Sequence, residues 1–310
     1  MTTAFVSHPD CMLHEMGSYH PERPDRLKAI EHQLNAIGLM GRLTRHMAPL
    51  ATFDQLRRVH DPEYLRFLKA AAERASVEGF AYLDPDTTMN RHSLAAAYRA
   101  AGAVVLAADL VIREEADNAF CSIRPPGHHA ERDRATGFCL LNNVAVGAAH
   151  AMETYGFERV AIVDFDVHHG NGTEDIFRDD ERVMMASTFQ HPFYPYSGIT
   201  GRSERMVNIP LPAGSGGELF RNAVDQFWMP ALAQFKPQIL FVSAGFDAHI
   251  DDELASLNLV EDDYAWVTER IMEIASEYSE GRIISALEGG YELKALGRSV
   301  SAHLNVLSNG

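Results

Sequence analysis

The sequence predicts an α/β protein whose mostly parallel sheet is covered by helices on both faces. Three observations carry that reading. From Asn118 onward, strand-like and helix-like segments alternate, the order a parallel sheet requires when each crossover is a helix. Val160-Ala-Ile-Val163 is an unbroken apolar run with β-branched residues, the pattern of a strand buried on both faces. Four of the strand-like segments run straight into polar, glycine-containing turns, and open parallel sheets bind ligands beyond the carboxyl ends of their strands.

In chain order, Thr3–Ser7 reads as a first strand. Residues 8–24 form a loop rich in His, Pro and charge, too polar for a core and long enough to shape a rim or a subunit contact. Pro24 suits the first turn of a helix running to about residue 37, with Leu27, Ile30, Leu34 and Ile37 at helical steps and Gly38 as its stop. Further helices are expected at 52–60, at 62–75 behind an Asp61 cap, and at 92–112. A strand at 119–123 leads to a helix capped by Asn142 or Asn143 and running through 149. Strands follow at 160–163 and 183–187, then an aromatic, Pro-rich loop at 189–201 and a short strand at 206–209. A helix at 218–235, a strand at 239–243, a helix at 261–280, a strand at 282–287 and a helix at 293–307 complete the series. No repeat or linker interrupts the 310 residues, so residues 1–310 are expected to form one domain, as long α/β chains often do.

Composition narrows the function classes. Hydrophobic content of 46% and charged content of 23% are those of a globular protein. No apolar run is expected to reach the roughly 18 residues of a membrane span, and the first residues lack the pattern of a signal peptide, so the cytoplasm is the expected compartment. Cys11, Cys121 and Cys139 are widely spaced and form no CxxC pair, which excludes a thiolate finger and predicts buried thiols. A formal charge of −16 is opposite to a nucleic-acid footprint and would draw a cationic substrate, although acidity also serves plain solubility.

The chemistry gathers at the four turns. They are Ser122-Ile-Arg-Pro-Pro-Gly-His128-His129, Asp164-Phe-Asp166-Val-His168-His169, Ser243-Ala-Gly-Phe-Asp247-Ala-His249 and Glu288-Gly-Gly-Tyr291. Asp166, His168 and Asp247 supply two carboxylates and one imidazole, a set suited to Zn²⁺ with a position left open. His128 and His129 can serve as general base and acid, and Tyr291 can donate to an oxyanion. Together these parts describe amide hydrolysis by a metal-activated water. Arg124, His169 and His249 are read as supporting hydrogen-bond partners, and Cys139 as a small buried side chain.

On these runs, joined by Gly137-Phe138-Cys139-Leu-Leu-Asn142-Asn143, His168-His169-Gly170-Asn171-Gly172 and the weaker His20-Pro-Glu-Arg-Pro24, the chain resembles the zinc-dependent histone deacetylase family, in its bacterial class II-like branch. The resemblance implies the three-layer arginase/deacetylase fold. It implies zinc on Asp166, His168 and Asp247, His129 as the main proton shuttle with His128 as its electrostatic partner, and Tyr291 as the oxyanion donor. It further implies that Asp164 orients His128 and Asn171 orients His129. A neutral amide at Asn171 stabilises an imidazolium less than a carboxylate would, which predicts a lower His129 pKa than in those family members that carry Asp at this position. A structural potassium ion is implied at Asp164 and Ser187 with the backbone of Asp166 and His168. Gly137, Phe138, Phe193 and Tyr194 resemble the walls of the family's acyl-lysine tunnel, with the Tyr194 hydroxyl offering a hydrogen bond at its rim.

The reading implied is a deacylase for acyl-lysine side chains. Its neighbour in the same fold is an acetylpolyamine amidohydrolase, which in some relatives carries a glutamate gatekeeper where this chain has Leu254, one residue after Glu253. A dimanganese ureohydrolase would need further aspartates where Val167, His169 and Asn171 stand, and a silent acyl-binding module would not need His128, His129 and Tyr291. An oligomer is compatible with all of these.

Overall fold

A computed structural model describes residues 1–199 and 204–309. Its strands are β1 (Thr3–Ser7), β2 (Thr44–Met47), β3 (Phe80–Tyr82), β4 (Thr88–Asn90), β5 (Asn118–Cys121), β6 (Val160–Asp164), β7 (Val183–Gln190), β8 (Met206–Leu211), β9 (Ile239–Ala244) and β10 (Ile283–Leu287). Its helices are α1 (Asp25–Ala36), α2 (Phe53–Leu56), α3 (Pro62–Glu78), α4 (Ser93–Ile112), α5 (Asn143–Tyr155), α6 (Asn171–Phe177), α7 (Gly217–Ala223), α8 (Met229–Phe235), α9 (Glu261–Tyr278) and α10 (Leu293–Asn309).

Eight strands form one sheet in the order β2-β1-β5-β10-β9-β6-β7-β8, and every pairing in it is parallel. The inner strands β5, β6, β9 and β10 are buried at every residue, which is why they read as continuous apolar runs. Helices α4 and α5 pack together on one face, while α1, α9 and α10 pack together on the other, giving three layers. Alanine and glycine let the first pair sit close: a Cβ on Gly147 would overlap the Val104 side chain. Helix α4 is long and apolar enough to cross a bilayer by length and composition, contrary to the sequence expectation. Here it is a core helix, buried along residues such as Ala97, Ala101, Val104 and Ala108.

Local chemistry explains the boundaries. Asp61 accepts the Glu63 N–H at 2.7 Å ahead of Pro62, and Asn142 accepts the Ala145 N–H at 3.0 Å to start α5. Several expectations are corrected. The helix expected at 52–60 stops after Leu56, one turn beyond the Thr52 capping box. The helix expected at 218–235 is interrupted by a π-turn at Val224–Trp228, just ahead of Pro230, which has no N–H to return to residue 226. Strand β7 runs to Gln190, into what was expected to be loop, and Thr200 and Gly201 at the end of that loop lie outside the described residues. Edge strand β2, the β3–β4 hairpin and the short α6 were not anticipated. Their sequences are polar or short, and α6 opens on Asn171-Gly172.

One row of paired residues crosses the sheet at its carboxyl edge: Val6, Cys121, Ala286, Ser243, Asp164, Ser187 and Asn208. Every segment that carries chemistry leaves the sheet just beyond this row.

Candidate active site

The carboxyl-edge turns bring the expected residues together. One ligand atom from each of Asp166, His168 and Asp247 lies within 4.8 Å of the others. His168 Nδ1 stands 3.0 Å from Asp166 Oδ1 and 3.3 Å from Asp247 Oδ2, so this nitrogen faces the shared space. The outer oxygens are held by backbone: Gly289 N–H donates to Asp166 Oδ2 at 2.8 Å, and Val167 N–H to Asp247 Oδ1 at 3.0 Å. Gly245 and Gly289 are glycines for a steric reason, since a Cβ on either would overlap the Asp166 or Asp247 carboxylate.

These residues fit a divalent cation. Asp247 Oδ2 is fully buried and has only His168 Nδ1, at 3.3 Å, beside it, which leaves a carboxylate oxygen facing Asp166 poorly compensated unless a cation joins them. Burial and then the Asp166 charge push Asp247 up to about 6, as expected where negative charge exceeds its compensation.

Above the triad, His128 and His129 lie ring to ring with centroids 4.0 Å apart. Their partners differ. His128 Nδ1–H donates to the Asp164 carboxylate at 3.0 Å, and His129 Nδ1–H donates to the Asn171 amide oxygen at 2.7 Å. Burial opposes the charged form of both rings. At His128, Asp166 and Asp164 outweigh it and raise the pKa well above the ordinary value. At His129, burial and the neighbouring His128 drive it well below. Asp164 also accepts the Asp166 N–H at 3.1 Å, so one carboxylate braces both the histidine pair and the triad. Across the β6–β7 pairing, Ser187 Oγ is buried without a partner beside Asp164.

Tyr291 follows Gly290, whose φ of 117° turns the chain at the end of β10. Burial, with Asp247 next, keeps the Tyr291 phenol protonated far above its ordinary pKa, so it remains a donor. The walls are aromatic. The Phe138 ring meets Tyr291 edge-on at 6.0 Å and His20 at 4.5 Å, and Phe193 stacks on His168 at 5.4 Å. Tyr194 stands edge-on to His129 at 5.2 Å. Its hydroxyl bonds Thr136 Oγ1 at 2.7 Å, which ties the hydrogen bond expected at the rim to a protein partner. Gly137 passes against the His129 ring, where a Cβ has no room. Leu254 is partly exposed on the loop after Asp247, its N–H held by Asp252 at 3.1 Å.

Arg124, His169 and His249 take supporting bonds. Arg124 pairs with buried Glu22, His169 Nε2 lies 2.8 Å from Glu174, and His249 Nδ1 accepts the Asp251 N–H at 3.0 Å. Three groups were missed from sequence. Arg26 bonds the carbonyls of Glu288 and Gly290 and shares Glu22 with Arg124, so the loop at 8–24 is anchored under the Tyr291 turn. Glu288 Oε2 accepts the N–H groups of Gly127 at 2.6 Å and His128 at 3.1 Å. Glu131 bonds Asn171. Glu22, Arg26 and Glu288 stood inside or beside quoted motifs, but nothing in linear spacing pairs them.

A parallel α/β fold with a histidine pair set over a carboxylate–imidazole triad defines the class, a hydrolase of the deacetylase and amidohydrolase type. Comparison with known proteins makes it specific. The chain belongs to the histone deacetylase family: the histone deacetylase domain matches residues 20–307. A probable deacetylase of Archaeoglobus fulgidus is 38% identical over 302 residues, 95% of this chain and 82% of its own length. The histone deacetylase-like amidohydrolase of Pseudomonas aeruginosa is 37% identical, over 93% of this chain and 81% of its own. The crystal structure of the HDA15 HD domain superposes with a TM-score of 0.92 at 33% identity, covering 99% of this chain and 88% of that one.

Proposed function

We propose that residues 1–310 form a single zinc-dependent deacylase domain that removes acetyl or other short acyl groups from lysine side chains. The observation that carries this reading is a pair of adjacent imidazoles, 4.0 Å apart, over a metal-competent triad, with His128 Nδ1 on the Asp164 carboxylate and His129 Nδ1 on the neutral Asn171 amide. Environments that drive neighbouring groups apart assign a base and a charged partner. Zn²⁺ held by Asp166, His168 and Asp247 would supply a Lewis acid that polarises the amide carbonyl and acidifies water.

The chain's own groups account for the proton movements. His129, neutral with Nδ1–H on Asn171, presents Nε2 to take a proton from the attacking water and return it to the leaving amine nitrogen. As the water oxygen bonds the carbonyl carbon and the C–N bond breaks, the products are a carboxylic acid and an amine, which leave as carboxylate and ammonium once the acid's proton passes to the amine. His128 stays charged against Asp164. Tyr291 donates to the developing oxyanion. Phe138, Phe193 and Tyr194 hold the aliphatic arm and exclude water. Potassium is assigned to Asp164 and Ser187, supported by the unpartnered Ser187 hydroxyl. The cytoplasm is the assigned compartment, in keeping with three buried free thiols.

The net charge of −16 favours a cationic substrate and so supports acetylpolyamines as the second reading, while Leu254 at the gate position favours acyl-lysine. A panel of acyl-lysine peptides, N-acetylputrescine and N-acetylcadaverine with zinc-loaded protein separates them. Faster turnover of peptide is expected. Faster turnover of the polyamines selects the second reading, and hydrolysis of neither class defeats both.

A further inference from the structure

We propose that Glu131 is a positioning residue for His129, acting through the Asn171 side chain; the role presupposes the proton shuttle assigned to His129 above. An asparagine amide is nearly symmetric in shape but opposite in hydrogen-bond sense at its two ends. With Oδ1 toward His129, the imidazole must carry its hydrogen on Nδ1, which leaves Nε2 free to accept a proton. With the amide reversed, Nδ1 becomes the acceptor, Nε2 holds the hydrogen, and the base is lost. Within the His129–Asn171 pair only a long contact, Asn171 Nδ2–H to the His129 carbonyl at 3.5 Å, bears on which state is held, and at that length it does not fix it.

Glu131 does. Its Oε1 lies 2.7 Å from Asn171 Nδ2, and an ionised carboxylate can only accept. The NH₂ end of Asn171 is therefore pinned at Glu131, and the oxygen end faces His129 at 2.7 Å. Glu131 is itself fixed from two sides. Arg134 Nη2 donates to both carboxylate oxygens at 2.7 Å, and the Glu131 N–H donates to the Arg134 carbonyl at 2.9 Å. On the other side the Glu131 carbonyl accepts from buried His60 Nδ1–H at 3.0 Å, and the tautomer of His60 is set because its Nε2 accepts the Asn142 N–H at 3.0 Å. The loop bearing Glu131 also lies against the start of α6, where a Cβ on Gly172 would overlap the Ala130 carbonyl. Glu131 thus supplies, one hydrogen bond further out, the directional anchor that a carboxylate at position 171 would supply directly.

The test uses the full chain, zinc-loaded, with ¹⁵N-histidine NMR to read the His129 tautomer beside steady-state kinetics on an acetyl-lysine peptide. Glu131→Leu is expected to convert a single Nδ1–H tautomer into a mixture and to lower kcat roughly 10- to 100-fold at unchanged KM. Glu131→Gln, whose amide can present either its oxygen or its NH₂ to Asn171, should give a tautomer mixture and a kcat between those of the parent and Glu131→Leu. The double variant Glu131→Leu/Asn171→Asp should regain kcat and the Nδ1–H tautomer, because a carboxylate at 171 has no wrong orientation. An unchanged tautomer in Glu131→Leu, or a double variant no better than the single, overturns the proposal. If Glu131→Leu does not fold, Glu131→Ser removes the same acceptor and carries the same outcomes. The tautomer is read without turnover, so a chain inactive on every amide would defeat the deacylase reading while the Glu131 effect is still scored on the spectrum.

Discussion

Asp252 Oδ2 accepts the backbone N–H of Tyr291 at 2.6 Å, and its other oxygen holds the N–H of Leu254 at 3.1 Å. One carboxylate therefore sets both the phenol assigned to the oxyanion and the residue at the gate position. Asp252→Ala should lower kcat by up to ~100-fold through displacement of Tyr291, and should alter the ratio of peptide to polyamine turnover through Leu254. Kinetics on both substrate classes check this; a change in neither would show that the turn holds itself.

Tyr291→Phe removes the hydroxyl and leaves the ring, which keeps its contact with Phe138. We expect kcat to fall about 10²- to 10³-fold with little change in KM and in melting temperature. Near-normal turnover would remove Tyr291 from the reaction and reopen an acyl-binding role.

Asn171→Asp replaces the amide at His129 Nδ1 with a carboxylate, which favours the charged imidazole. A base must be neutral to work, so raising its pKa moves the acidic limb of the pH–rate profile to higher pH. An unmoved limb would mean that His129 is not the group titrating there.

With Zn²⁺ on Asp166, His168 and Asp247 as proposed, chelation should stop hydrolysis and lower the melting temperature, and Zn²⁺ should restore both. A metal present at 100 times its Kd stabilises by about 2.7 kcal/mol. Asp247→Asn should bind Zn²⁺ weakly by calorimetry and show a much smaller thermal shift on its addition.

Two histidines outside the reaction predict acid lability. Burial lowers His60 to about 4 and His303 to about 3, against an ordinary 6.5. The unfolded chain takes up protons that the folded chain refuses, so the stabilisation is complete above pH 6.5. It is lost as pH falls through about 4 for His60 and about 3 for His303. Each is worth on the order of 3 to 5 kcal/mol over its full window. Urea melts at pH 7 and pH 5 should differ less in His60→Gln than in the parent chain.

The sheet was legible because the inner strands are buried on both faces and so write themselves as apolar runs, Val160 to Val163 most clearly. The convergence of their ends followed from parallel topology, and Asp166, His168, Asp247, His128 and His129 are where that reasoning puts them. Strand β2 left no such trace because an edge strand with Thr44, Arg45 and Met47 exposed carries no apolar pattern. Arg26, Glu131 and Asp252 were unreadable for another reason. Each works through a partner distant in sequence, 264 residues in the case of Arg26 and Gly290, and a charged residue near a turn looks the same whether or not it is spoken for.

The position of β10 between β5 and β9 sets the order in which this molecule can be finished. During synthesis β2, β1 and β5 can pair on one side, and β9, β6, β7 and β8 on the other, but the seam between the two halves stays open until residues 283–287 leave the ribosome. His128 and His129 belong to the first half, the acidic triad to the second, and Tyr291 rides on the strand that closes the seam. Such long-range parallel pairing is slow and exposes apolar edges while it waits. A nascent chain therefore cannot assemble this pocket before Tyr291 has been made, and recovery of turnover during refolding should follow the docking of β10 rather than the pairing of the strands before it.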